Sequence, residues 1–255
     1  MVQPMTRDPK QPPAKSGAGS AVGSSSTSTD INQFLAQVKS LGSGAGATAG
    51  RLIFALDATM SRQPTWDMAC QLQAEMFLEA GKIGREAGSG GSALSMRLIY
   101  FRGLNECRAS PWISDAAKLA SLMSRIDCQG GHTQIGKVLA DARREAVASG
   151  VRALVYVGDA MEESVDALCV TAGELGMLKV PCFLFQEGHD SSAEQAFREI
   201  ARLTGGAWCR FDPGASAQLR ELLRAAAAYA AGGRAALVRL AKASHGATLL
   251  LGQMR

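Results

Sequence analysis

Residues 51–61 read Arg-Leu-Ile-Phe-Ala-Leu-Asp-Ala-Thr-Met-Ser, an apolar run that ends in an acid followed by two hydroxyl side chains. An uninterrupted apolar run of this length is typical of a strand that is buried on both faces, as in a parallel sheet. Residues 152–159, Arg-Ala-Leu-Val-Tyr-Val-Gly-Asp, form a second run of this kind and also end in an acid. Both patterns predict central strands whose carboxyl ends carry polar side chains.

Strand and helix patterns alternate around these two runs. Further strands are predicted at 95–102, 106–113, 180–186 and 207–212, and helices at 64–87, 114–126, 134–149, 162–176, 192–203, 216–231 and 234–244. Pro111 places the segment 106–113 at a sheet edge, and Ser114 is the predicted N-cap of the helix after it. The alternation predicts an α/β fold: a doubly wound, mostly parallel sheet of about six strands, with one short antiparallel edge strand and helices on both faces.

Residues 1–50 have a different composition from the rest of the chain. Ser, Gly and Pro occupy 19 of these 50 positions, so we expect a disordered tail. Within it, residues 30–41 carry apolar side chains at helical spacing, which predicts a short amphipathic helix. Phe34 and Leu35 on its apolar face are either partner contacts or contacts of an arm packed on its own domain. The predicted organisation is a tail (1–50), a folded domain (51–231) and a basic helical extension (232–255).

The charge distribution argues against a dedicated nucleic-acid binder, which clusters Lys and Arg on one folded face. Residues 1–50 carry four basic and two acidic side chains, residues 51–215 carry 17 and 20, and residues 216–255 carry six and one. No apolar run is long enough to span a membrane, and the polar N-terminus lacks the apolar segment of a secretory signal. We therefore expect a cytoplasmic protein with reduced cysteines and no membrane contact.

Oxygen-bearing side chains follow the predicted strands at positions where a parallel sheet brings them together. Ligands of such sheets bind beyond the carboxyl ends of the strands. Two carboxylates and three hydroxyls are expected there, from Asp57, Thr59, Ser61, Thr133 and Asp159. A site with oxygen ligands alone suits a hard cation, most naturally Mg²⁺. The adjacent His132 need not coordinate the ion.

At these residues the sequence resembles the von Willebrand factor type A (VWA) family. That family has a metal-ion-dependent adhesion site (MIDAS) with the signature D-x-S-x-S, a distant Thr and a distant Asp. Thr59 stands in place of the first Ser, and the order of elements agrees over about 180 residues. The resemblance implies that Thr59, Ser61 and Thr133 ligate Mg²⁺ or Mn²⁺ directly. It implies that the two aspartates act largely through bound water and that a partner's carboxylate completes the site.

The family resemblance implies a protein-interaction adaptor and not an enzyme. Its partner would be a protein that presents an Asp or Glu, and ring ATPase complexes are among the partners implied. Three further residues are candidate partner contacts, namely Arg62, Trp66 and His132. A solvated Arg62 and a core Trp66 remain open alternatives.

Two other functions remain open. One is a Mg²⁺-dependent phosphohydrolase on a similar sheet, although Thr59 stands where the second acid of D-x-D-x-T would be. The other is a metal-free scaffold, for which Thr59 is the only indication. Residues 131–138 approach the ATP-binding pattern G-x-x-x-x-G-K-[ST] but end in Val and lack a preceding strand. Glu162 and Glu163 either add negative charge beside Asp159 or begin the next helix.

Overall fold

The structure, a computed structural model, describes residues 50–67, 70–72, 94–212 and 215–254. This part of the chain forms one six-stranded sheet of order β3-β2-β1-β4-β5-β6. The strands are β1 (Arg51–Asp57), β2 (Ser95–Arg102), β3 (Glu106–Ala109), β4 (Ala153–Gly158), β5 (Cys182–Glu187) and β6 (Ala207–Phe211). All neighbours are parallel except β2 and β3, which pair antiparallel at the edge. The predicted mostly parallel sheet is confirmed.

Within the described ranges, one 3-10 helix and six longer α-helices lie between the strands or follow the last of them. They are the 3-10 helix Met60–Thr65, α1 (Ala116–Met123), α2 (Ile135–Ser149), α3 (Val165–Met177), α4 (Ser191–Thr204), α5 (Ser216–Ala241) and α6 (His245–Gln253). The predicted cap of α1 is wrong by one residue, because the Asp115 carboxylate accepts the backbone N–H groups of Ala117 and Lys118. None of these helices is long and apolar enough to cross a membrane.

The segment after β1 differs from the helix predicted at 64–87. Residues 60–65 form a 3-10 helix that includes Pro64, and helical backbone follows at 66–67 and 70–72. The remainder of that predicted helix lies outside the described residues. The same holds for residues 1–49, with the predicted helix at 30–41 and its Phe34 and Leu35.

Apolar side chains cover both faces of the sheet, as expected for a doubly wound fold. Because successive side chains of a strand point to opposite faces, Phe54 and Ile53 of β1 belong to different clusters. The Phe54 cluster includes residues of α1, α5 and α6. The Ile53 cluster includes residues of α2, α3 and α4. Within the described ranges, apolar clusters thus enclose both faces of the sheet, and polar side chains gather at its carboxyl edge.

The C-terminal residues contribute to the first of these clusters. The helices predicted at 216–231 and 234–244 form α5, in which Gly232 and Gly233 have non-helical backbone angles. Leu250 of α6 is fully buried in the cluster that contains Phe54. The side-chain amide of Gln253 bonds both the N–H and the C=O of Trp208, at 3.0 and 2.8 Å. The C-terminal helix therefore also satisfies backbone groups of β6, an edge strand.

Candidate metal centre

The register of the central strands brings the predicted site residues to one edge of the sheet. Leu56 of β1 lies beside Val157 of β4, so β1 and β4 end at the same edge of the sheet, where Asp57 is the last residue of β1. Beyond β1, Thr59 forms an isolated parallel bridge with Gln129, which begins the loop before α2. Three separate loops, 58–61, 129–134 and 159–164, therefore meet at the carboxyl edge.

The Asp57 carboxylate organises the first of these loops. It is fully buried, and its Oδ1 accepts the backbone N–H of Thr59 at 2.8 Å. The Thr59 hydroxyl then lies 3.0 Å from the hydroxyl of Ser61, which is exposed. The buried Thr59 hydroxyl is thus paired with the exposed Ser61 hydroxyl, directly after the buried acid.

Thr133 joins the second loop to the third. Its hydroxyl accepts the backbone N–H of Glu162 at 3.0 Å, while its own N–H donates to the Glu162 carboxylate at 3.2 Å. Thr133 is nearly buried, and Glu162 follows Asp159 by three residues. This reciprocal pair of hydrogen bonds holds the loop that contains Asp159 against the loop that contains Thr133.

Two carboxylate oxygens at this edge fit the requirements of a bound cation. Asp57 Oδ2 and Asp159 Oδ1 are buried and have no hydrogen-bond partner in the described part of the chain. Burial raises the pKa of Asp57 to about 6, the charge of Asp159 adds to this, and the Thr59 hydrogen bonds and Arg62 oppose it. A divalent cation would neutralise this repulsion, and three hydroxyls are available beside the acids. The donor set therefore fits a hard metal ion.

The oxygen-only character of the site is its distinguishing feature. Within the described ranges, no three His, Cys, Asp or Glu side chains are grouped so that they could hold a metal ion. Cys128 is buried, whereas His132, four residues later, is 67% exposed. A thiolate or imidazole zinc site is therefore not formed by these residues.

Arg62 does not serve as a partner contact or a solvated side chain, which corrects both interpretations of this residue. It is 1% exposed, and its Nε donates to the Glu187 carboxylate at 3.0 Å. Its Nη1 donates to the carbonyl of Val157 at 3.3 Å and to that of Asp57 at 3.5 Å. The guanidinium thus joins the ends of β1, β4 and β5 beneath the site. The sequence carried no signal for this, because Glu187 lies 125 residues away.

Trp66 is also a core residue and not a surface contact. It is 4% exposed, and its indole Nε1 donates to the carbonyl of Ile126 at 2.8 Å. His132, in contrast, is exposed at the site and its Nδ1 lies 2.8 Å from the Glu162 carboxylate. Of the three flanking residues proposed to touch a partner, only His132 is accessible in the structure.

Glu162 and Glu163 do not begin the helix that follows, as had been one expectation. Helix α3 begins at Val165 and is capped by the Ser164 side chain. The Glu163 carboxylate instead accepts the backbone N–H groups of Ile135 and Gly136, at the start of α2.

A phosphate bound by the ATP-binding pattern at residues 131–138 would need these same N–H groups at the start of α2. Since α1 and not a strand precedes this loop, an ATP-binding loop here is not supported.

The buried hydroxyl of Tyr156 lies on β4, next to the site. It has no hydrogen-bond partner among the residues described, and a Cβ atom added to Gly158 would lie 2.5 Å from its oxygen. Removing an unpaired buried hydroxyl relieves its desolvation cost. We expect Tyr156→Phe to stabilise the protein by about 1 kcal/mol in urea unfolding. Tyr100→Phe, which removes a hydroxyl bonded to Glu106 at 3.2 Å, is the control expected to show no gain. A destabilised Tyr156→Phe would show that the hydroxyl is bonded in solution.

Comparison with known proteins supports the fold. No protein-family model matches the sequence, and no curated protein matches it. The human COPII-coat protein Sec24c matches with a TM-score of 0.55 and 14% identity, over 69% of this chain and 32% of that chain. The SpRpn10 VWA domain matches with a TM-score of 0.50 and 12% identity, over 68% and 95%.

A third match is the proximal thread matrix protein 1 from the mussel byssus, solved with a zinc-occupied MIDAS motif. Its TM-score is 0.56 and its identity 14%, over 71% of this chain and 46% of that chain. This chain thus spans about a third of Sec24c and less than half of the byssus protein. Likeness at this level of identity establishes architecture alone. The chain has the von Willebrand factor type A fold that its sequence predicted.

Proposed function

We propose that this chain is a divalent-metal-dependent protein-interaction module. Its Mg²⁺ or Mn²⁺ would be held by the five residues at the carboxyl edge of the sheet, Asp57, Thr59, Ser61, Thr133 and Asp159. The observation that supports this most strongly is the pair of buried carboxylate oxygens that have no partner among the described residues and accompany three hydroxyls. The zinc-occupied MIDAS of a protein with the same fold supports it further.

The donor chemistry explains why such a site would bind another protein. The hydroxyls of Thr59, Ser61 and Thr133 are neutral donors, so they leave most of a metal's positive charge uncompensated. The bound ion would supply a Lewis-acidic position that attracts an external carboxylate. The exposed Ser61 and His132 lie where a partner's Asp or Glu could approach. We therefore propose a protein partner that presents an acidic residue.

An enzymatic role is less well supported by the arrangement of side chains. A phosphohydrolase with a nucleophilic aspartate must present a carboxylate oxygen to its substrate. Asp57 is fully buried, and one of its oxygens is already bonded to Thr59. None of the three matched structures is named as an enzyme. A ring ATPase partner, a cytoplasmic location and a partner contact through Phe34 and Leu35 extend the proposal on the family resemblance alone.

Metal titration by calorimetry tests the proposal. We expect Mg²⁺ and Mn²⁺ to bind the full chain saturably with one ion per molecule. Ser61→Ala removes a surface hydroxyl without touching the core, and we expect it to weaken metal binding about tenfold or more. Ser121→Ala, on the exposed face of α1, is the matched control and should leave the affinity unchanged. The absence of saturable binding at millimolar metal, or equal affinities for both variants, would overturn the proposal.

A further inference from the structure

Two exposed apolar side chains lie on loops at the carboxyl edge of the sheet. Leu104, in the turn between β2 and β3, is 71% exposed, and Met60, between Thr59 and Ser61, is 53% exposed. The other large apolar side chains exposed in the described part of the chain lie on helices, namely Val170 and Met177 on α3 and Val238 on α5. The edge that carries the candidate metal site therefore also presents two exposed apolar side chains.

The turn that presents Leu104 is held firmly against the loop of Thr133. The Gly103 carbonyl accepts the backbone N–H of His132 at 3.2 Å and the Gln134 side chain at 3.4 Å. The Lys137 ammonium donates to the carbonyl of the next turn residue, Asn105, at 3.2 Å. Turns of this kind usually carry small polar residues. A leucine that is 71% exposed contributes little buried area to the fold, so most of its side chain is available to another molecule.

The loops of Leu104 and Met60 are joined through the loop that contains Thr133. A Cβ atom on Gly131 would lie 2.0 Å from the Gly103 carbonyl oxygen, which shows how closely these two loops pack. The same loop also pairs with the segment that follows β1, because Gln129 bridges Thr59. Leu104 and Met60 thus each follow a residue that contacts the 129–133 loop.

We propose that this edge recognises a segment of a partner protein in which one Asp or Glu is flanked by apolar side chains. The acid would reach the metal, and its apolar neighbours would pack on Leu104 and Met60. This inference rests on the proposed function and specifies its partner. Charge complementarity selects the acid, and the two uncharged side chains favour apolar neighbours over polar or charged ones.

Two fluorescein-labelled peptides of equal length and charge test the inference. One has the sequence Gly-Leu-Leu-Glu-Leu-Leu-Gly, and the other has Ser in place of every Leu. We measure their binding to the full chain by fluorescence anisotropy in saturating Mg²⁺. We expect the Leu peptide to bind about tenfold more tightly, since burying one or two apolar side chains is sufficient for that factor. Replacing its Glu by Gln, or adding chelator, should remove the binding.

Substitutions on the edge then test the assignment of the surface. Leu104→Ser should reduce the advantage of the Leu peptide to about twofold or less, and Met60→Ser should reduce it in the same direction. Val170→Ser, which removes an exposed apolar side chain on α3, is the matched control and should keep the full advantage.

Metal calorimetry on the same samples separates the two proposals. If no metal binds, the proposed function itself is wrong. If metal binds but both peptides bind equally, or Leu104→Ser keeps the full advantage, the apolar surface is wrong and the metal site stands. If the Leu peptide binds as tightly in chelator, its contact is independent of the metal, which also overturns the inference.

Discussion

Asp57→Asn is expected to stabilise the metal-free protein while it abolishes metal binding. The pKa of Asp57 is raised to about 6 from an ordinary value of 3.8, chiefly by burial. Keeping this carboxylate ionised in the folded state at neutral pH therefore costs about 3 kcal/mol. Asparagine removes the charge and keeps an oxygen for the Thr59 N–H, although its amide nitrogen is left unpaired. We expect a net gain of about 2 kcal/mol in the free energy of unfolding at pH 7.5.

The pH dependence of this gain has a definite sign. Between about pH 4 and pH 6, the folded state of the metal-free wild type binds more protons at Asp57 than the unfolded state does. Its contribution to stability is therefore present at low pH and is lost as the pH rises through about 6. Asp57→Asn has no ionisable group at this position and lacks this loss. The free energy of unfolding of the variant should therefore differ little from that of the wild type at pH 4, and the difference should be largest above pH 6.

Urea unfolding in chelator and in Mg²⁺ checks both parts of this prediction. At 100 times the dissociation constant, metal should stabilise the wild type by about 2.7 kcal/mol and leave Asp57→Asn unchanged. The order of stability should therefore reverse when metal is added. Glu199→Gln, a charge-removing change in an exposed ion pair with Arg202, is the control and should show neither effect. A variant less stable than wild type in chelator would contradict the assigned cost of Asp57.

Arg62→Ala is expected to destabilise the protein by about 4 kcal/mol, whether or not metal is present. The side chains of Arg62 and Glu187 are 0% and 6% exposed, and Nη2 of the arginine lies 2.8 Å from the glutamate oxygen. Removing the guanidinium leaves a buried carboxylate without its cation. It also leaves the Val157 carbonyl without its donor. A surface arginine would contribute far less.

A double-mutant cycle identifies the cause of that loss. Arg62→Met with Glu187→Met removes both charges and should recover most of the stability lost in either single variant, because an apolar pair of similar volume needs no counter-charge. Arg202→Ala, in the exposed pair with Glu199, should cost less than about 1 kcal/mol. If urea unfolding shows that Arg62→Ala also costs less than about 1 kcal/mol, the buried pair contributes little to stability.

Local patterns were sufficient to predict most of the fold. The apolar run at 51–57 coincides with β1, because a strand buried on both faces must be apolar almost throughout. The strand predicted at 95–102 coincides with β2, whose buried and half-buried side chains largely alternate. The ends of helices were less certain. Neighbouring residues such as Ser114 and Asp115 are both good caps, and only the backbone angle decides which one is used.

Residue chemistry along the chain also indicated which residues would form the candidate site. Acids and hydroxyls that follow parallel strands lie at one edge of the sheet. The register of β1 with β4 places the ends of these two strands side by side at that edge. The roles of their neighbours could not be obtained in this way. Glu163 lies between a candidate ligand and a helix in the sequence, yet it bonds the start of α2, which precedes it by nearly 30 residues.

The sequence by itself thus determined the order of the strands, the mostly parallel sheet, the candidate residues of the polar edge and the resemblance to the VWA family. The tertiary structure alone decided that Arg62 and Trp66 are buried supports, that α6 joins the core and that Leu104 stands exposed beside the candidate site. The physical reason is that periodicity and residue type report which face of an element is apolar. Burial of a charged or aromatic side chain depends instead on partners such as Glu187 and Ile126, which only the folded chain brings near.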